Sequence, residues 1–114
     1  MTTAKLTMDI RDVADGIRVI DIKGEITSFS EAEISQAHEE AGKDAEAVIL
    51  NFTDLEYMNS GGIGLLVTTL IRAQRSGHAL RAYGLSEHYR QIFTLTRLDE
   101  AISIHANESE AIAG

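Results

Sequence analysis

The chain has 114 residues, 44% of them hydrophobic, which predicts one domain spanning residues 1–114 and leaves no room for a second. It has no cysteine, which excludes a disulfide framework, a thiolate nucleophile and thiolate metal sites, and suits the reducing cytoplasm. A net charge of −8 repels a phosphate backbone where a nucleic-acid binder presents a basic stripe, so any effect on transcription is expected to pass through another protein.

Leu6, Met8 and Ile10 alternate with polar neighbours, the period of a strand with one face buried. Asp15-Gly16 then predicts a turn, with a hairpin loop longer than two residues, into a second strand over Ile17–Ile22 that ends at Gly24. Ser30 and Glu33 have the spacing of a capping box, Phe29 and Ile34 that of a hydrophobic staple around it. Ile34, Ala37 and Ala41 continue as a thinly apolar surface helix, which Gly42 is expected to end in a left-handed cap.

Ala47-Val48-Ile49-Leu50 is apolar at every position, as in a central strand covered on both faces. From Ser60 a second helix is predicted, with Ile63, Leu66, Val67 and Leu70 as its apolar stripe, Arg72 and Arg75 at its negative end and Gly77 as its stop. Ala79–Tyr83 reads as a short strand. Ser86 caps a third helix with Tyr89, Ile92, Phe93 and Thr96 on one face, Ala101–Ile104 is a last strand, and Asn107 with Glu110 resembles a capping box before a C-terminal helical turn. Helices alternating with apolar strands predict an α/β fold: a small mixed, mostly parallel sheet of four to five strands flanked by about four helices.

The N-terminus alternates polar and apolar residues unlike a secretory signal, and no run approaches the roughly 18 apolar residues of a spanning helix, so a soluble protein without membrane insertion is expected. The four histidines fall on different elements without metal-ligand spacing and read as surface residues, so neither a metal nor another cofactor is expected. Asp54 and Glu56, Glu39 and Glu40, and Glu108 to Glu110 read as solvated residues.

The segment Asp54–Gly64 joins the central strand to the second helix and lies at the carboxyl end of the parallel strands, where functional sites of open α/β sheets collect. Gly61, Gly62 and Gly64 allow close backbone approach, and the helix N-terminus beside the Ser60 hydroxyl suits a phosphate. Equally, Asn59 or Ser60 caps the helix and the glycines let it pack on the sheet. The missing Lys-Ser/Thr pair after the glycines argues against a nucleotide-binding P-loop.

Gly24-Glu25-Ile26, Val48 to Phe52 leading through Met58-Asn59-Ser60-Gly61-Gly62-Ile63-Gly64, Arg72-Ala73 through Gly77, Gly84-Leu85-Ser86 and Leu95-Thr96-Arg97-Leu98 stand in register with one pattern along nearly the whole chain. In these pieces the chain resembles the STAS domains of bacterial anti-sigma-factor antagonists. The resemblance implies a protein-binding switch and not an enzyme. Ser60 is the expected phospho-acceptor, and Glu25, Ile26, Thr27, Ser28, Asn59, Gly61, Gly62 and Ile63 the expected docking surface. The implied partners are an anti-sigma factor that is itself a serine kinase of the histidine-kinase-like ATPase fold, and a phosphatase that resets the switch. Unphosphorylated protein would sequester the anti-sigma factor, and phosphate would end the binding. The chain departs from that pattern in having Asn59 for an aspartate, Gly61 for a second serine and Thr27 for another aspartate. Two alternatives are a STAS subunit docking within a lipid or anion transport assembly, and a small-molecule binder or enzyme using the glycine turn as an anion pocket.

Overall fold

The computed structural model describes residues 6–114. Its elements are β1 (Thr7–Ala14), β2 (Ile17–Ile26), α1 (Glu31–Ala41), β3 (Ala47–Met58), α2 (Ser60–Ser76), β4 (Ala79–Tyr83), α3 (Glu87–Leu95), β5 (Ser103–His105) and α4 (Glu108–Ala113). Short 3-10 turns at Ser28–Ser30 and Leu98–Glu100 precede α1 and β5. The five strands form one sheet in the order β1-β2-β3-β4-β5, with β1 antiparallel to β2 and every other pair parallel. This is the mixed, mostly parallel sheet with four helices that the alternation of elements predicted.

Side chains alternate across β3, which explains why it reads as unbroken apolar sequence. Val48, Leu50 and Phe52 join the main core with Leu66 of α2 and Phe93 of α3, while Ala47 and Ile49 join a smaller cluster on the opposite face with Val19, Tyr83 and Ala111 of α4. Phe52 and Phe93 meet edge to face with centroids 6.1 Å apart, an arrangement favoured by the ring quadrupoles. Arg11 reaches from β1 to Asp21 at 2.5 Å and Glu108 at 2.6 Å, and Tyr83 Oη donates to Glu108 at 2.7 Å, so Glu108 ties α4 to the sheet and is not a solvated residue. Burial and the Glu108 carboxylate push the Tyr83 phenol up to about 12.

Several local expectations are corrected. The hairpin loop is two residues, Asp15-Gly16, with Ala14 paired to Ile17 and a register shift after Asp12 that absorbs the twist. β2 does not stop at Gly24: it continues to Ile26 through register shifts at Asp21/Lys23 and Gly24/Glu25, and Gly24 takes the positive φ of 107°. Ser30 does not cap α1 and Phe29 does not staple it. The cap lies one turn earlier at Thr27, whose Oγ1 accepts from the Phe29 N–H at 3.2 Å, while Ser30 Oγ turns back to accept from the Thr27 N–H at 3.0 Å. Gly42 ends α1 at φ −82°, not in a left-handed cap; a Cβ there would lie 2.8 Å from His78 Cε1, so the position needs glycine for space. On α2 the buried stripe is Gly62, Leu66, Thr69 and Ala73, and Val67 is exposed. Thr96 likewise lies exposed just beyond α3, whose buried residue is Phe93. Gly77, at φ 80°, does end α2 left-handed, and Ser86 caps α3 as expected.

The largest correction concerns the histidines. His38 and His78 are buried to 5% and 7% exposure and meet Nε2 to Nε2 at 2.9 Å. His88 is at the surface and His105 half-buried. Among the described residues no helix is long and apolar enough to cross a membrane.

Candidate functional site

The segment Asp54–Met58 is not a loop. β3 runs to Met58 because β2 continues alongside it, pairing Gly24 with Leu55, Glu25 with Tyr57 and Ile26 with Met58. One residue, Asn59, separates the end of β3 from α2. Its N–H donates to the Ile26 carbonyl at 3.2 Å, and the Met58 N–H donates to Tyr89 Oη at 2.8 Å, so both strand ends and α3 hold the junction from two sides.

Asn59 is also the cap. Its backbone is extended at φ −95°, ψ −177°, and its side-chain oxygen accepts from the Gly62 N–H at 2.9 Å, satisfying one of the unpaired donors of the helix start. That arrangement frees Ser60. The serine is the first residue of α2, exposed, and among the described residues its hydroxyl makes no hydrogen bond.

The glycines that follow have distinct reasons. A Cβ on Gly62 would lie 2.5 Å from the Ile26 carbonyl oxygen and 2.9 Å from Ile26 Cγ2 and Met58 Cγ, so the helix rests its backbone directly on the end of β2. A Cβ on Gly61 would lie 2.8 Å from Ser28 Cβ and 3.0 Å from Ser28 N, which brings the Ser28–Ser30 turn against the start of α2. A Cβ on Gly64 would meet nothing within 4 Å, so packing does not explain that glycine.

The nine residues expected at the site therefore divide. Ser28 and Ser60 are exposed on one rim, with Glu25, Thr27, Asn59, Gly61 and Ile63 half-buried around them. Ile26, at 0% exposure, and the buried Gly62 lie beneath the rim and offer a partner no surface; they are its foundation. Two exposed aromatics were not anticipated. Phe29, 92% exposed at the centre of the turn that packs on α2, stands clear of α1 instead of stapling it, and Tyr57 lies on β3 opposite Glu25. The signal for Phe29 was there to read: a lone aromatic inside the polar run Thr27-Ser28-Phe29-Ser30 just past the end of a strand.

The family model of the STAS domain matches residues 10–111. The chain belongs to the STAS domain family. Among curated relatives it is 25% identical over 107 residues to an anti-sigma-B factor antagonist of Bacillus subtilis, covering 94% of this chain and 97% of that protein. Among solved structures, an anti-sigma factor antagonist from Mycobacterium paratuberculosis superposes with a TM-score of 0.76 at 23% identity, covering 98% of this chain and 97% of that one. The phosphorylated form of the Bacillus cell fate determinant SpoIIAA superposes at 0.67 with 24% identity, covering 94% and 97%.

The division of labour between Asn59 and Ser60 sets an expectation for stability in this STAS domain. Asn59→Ala is expected to cost about 1 kcal/mol through the lost cap, whereas Ser60→Ala is expected to change stability by less than about 0.5 kcal/mol, since it removes an exposed hydroxyl without a partner. Urea unfolding of the two variants beside the wild type checks this. A larger loss for Ser60→Ala would return the cap to Ser60.

Proposed function

We propose that this STAS domain is a cytoplasmic anti-sigma-factor antagonist, a docking switch whose state is written on Ser60. The observation that carries the reading is the exposed, unbonded Ser60 hydroxyl at the first position of α2, with Asn59 doing the capping beside it. The antagonist name of the Bacillus subtilis relative, matched along nearly its whole length, supports the same conclusion.

In this reading the unmodified rim of Thr27, Ser28, Phe29, Asn59, Ser60 and Gly61 docks on the anti-sigma factor, with Glu25, Tyr57 and Ile63 at its margin. The partner is a serine kinase of the histidine-kinase-like ATPase fold and supplies ATP and all catalytic groups. Ser60 Oγ attacks the γ-phosphorus, ADP leaves, and the hydroxyl proton passes to a base of the kinase. The phosphate adds about −1.5 to −2 charges where the free N–H groups of a helix start tolerate them within this chain, while the same charge opposes a packed interface. A phosphatase restores the binding form.

Incubation with the cognate kinase and ATP is expected to place one phosphate on Ser60, read by mass spectrometry, and none on a Ser60→Ala variant. Phosphate on Thr27 or Ser28 instead would overturn the assignment. Asn59→Asp keeps the capping oxygen and restores a charge favoured near a helix N-terminus by roughly 0.3–1 kcal/mol. It is expected to speed single-turnover transfer by about two- to fivefold with little change in partner affinity.

A further inference from the structure

The cleft between α1 and the C-terminal half of α2 is unlike the rest of the surface. The chain carries 18 acidic and 10 basic residues, yet this cavity of about 770 Å³ is lined by Lys43, Arg72 and Arg75 against a single carboxylate, Glu39. None of these three cations is ion-paired among the described residues. Arg72 reaches across from α2 to donate to Ser35 Oγ of α1, which holds a guanidinium at the cleft with further N–H groups to spare.

The buried His38–His78 pair lines the same cleft. One Nε2 must donate and the other accept, and among the described residues His78 Nδ1 is buried without a partner. A buried N–H without an acceptor costs more than a bare lone pair, so His78 carries its proton on Nε2 and donates, and His38 accepts on Nε2 and carries its proton on Nδ1. The pair is neutral in this form, and a further proton can enter on the vacant Nδ1 of His78 with that bond kept. It is a buried reserve of positive charge.

We propose that this cleft binds a phosphate-bearing small anion, such as a polyphosphate or a nucleotide's phosphate chain, and that binding draws a proton onto the histidine pair. Every charged or titratable group facing the pair enters the balance. Glu39 and the negative ends of α1 and α2, each worth about half a charge, oppose an anion. Lys43, Arg72 and Arg75 outweigh them by about one charge. A proton on the pair doubles that surplus, and an anion seated between the arginines removes the Arg72 repulsion that opposes the proton. By linkage, each event then favours the other.

Titration of the whole chain with pyrophosphate and with ATP at low ionic strength, adenosine as control, is expected to give saturable binding with a Kd on the order of 0.1–1 mM at pH 6. Backbone amide shifts should move at Lys43, Arg72, Arg75 and His78, while the Ser60 rim stays still. Sulfate, whose charge is constant over this range, isolates the proton linkage: its affinity should fall with rising pH, by up to tenfold per unit. The double variant Arg72→Gln, Arg75→Gln should lose binding with an unchanged unfolding midpoint. Absence of saturable binding, binding that survives the double variant, shifts confined to the start of α2, or affinity that rises with pH would each overturn the proposal.

Discussion

Replacing Gly62 by alanine is expected to destabilise the fold by roughly 2 kcal/mol, although alanine is the better helix former by about 1 kcal/mol. The added methyl would lie 2.5 Å from the Ile26 carbonyl oxygen, main chain at a strand end that is itself fixed by the Asn59 N–H, so the neighbour cannot swing aside as a side-chain tip would. Gly64 provides the matched control. Two residues on, in the same helix and with nothing within 4 Å of its would-be Cβ, Gly64→Ala is expected to stabilise by about 0.5–1 kcal/mol. Opposite signs for one chemical change measure how tightly α2 is seated on β2. Should both variants gain stability, the close approach that defines the site is absent.

Stability is expected to fall by about 3 kcal/mol between pH 6.5 and pH 4, mostly through the buried histidines. Burial first, then the charges of neighbouring His78 and Arg72, hold His38 down from 6.5 to about 4, and burial holds His78 below its ordinary value too. The unfolded chain takes up these protons near pH 6.5, whereas the folded chain takes up the His38 proton only near 4. The contribution is therefore fully present above 6.5 and lost as the pH falls through that window, at about 1.4 kcal/mol per unit for one proton. Arg11 holds Asp21 and Glu108 below their ordinary 3.8 and 4.5, so their support is lost mainly further down. Urea unfolding at pH 7.5, 5.5 and 4.5 should show the decline, and His38→Gln should flatten it. An unchanged midpoint down to pH 4.5 would mean that the histidines are not buried as a pair.

The elements legible in the amino-acid sequence were those whose signals are local and unshared. Ala47–Leu50 announced a doubly covered strand because both of its faces are apolar, and Gly77 and Ser86 announced a stop and a start because only their own backbones are involved. What could not be read depended on distant partners. Thr53, Asp54 and Glu56 are polar and do not announce a strand, yet the strand persists there: β2 supplies pairing across Gly24 to Ile26, and these side chains point to solvent. His38 and His78 are 40 residues apart, and nothing near either one shows that Gly42 leaves room for the imidazole. At the site, Asn59 and Ser60 offered the same capping chemistry one residue apart. The extended backbone at Asn59, which follows from the strand running to Met58, made it the cap and left the serine free.

The switch turns on whether that one exposed serine carries a phosphate's charge, and the direct measurement is calorimetric titration of the cognate anti-sigma factor with this protein and with its Ser60→Asp variant. Unmodified protein is expected to bind with micromolar or better affinity, and Ser60→Asp to weaken binding by at least tenfold, about 1.4 kcal/mol, without lowering its own unfolding midpoint. Equal affinities for the two proteins would contradict the switch.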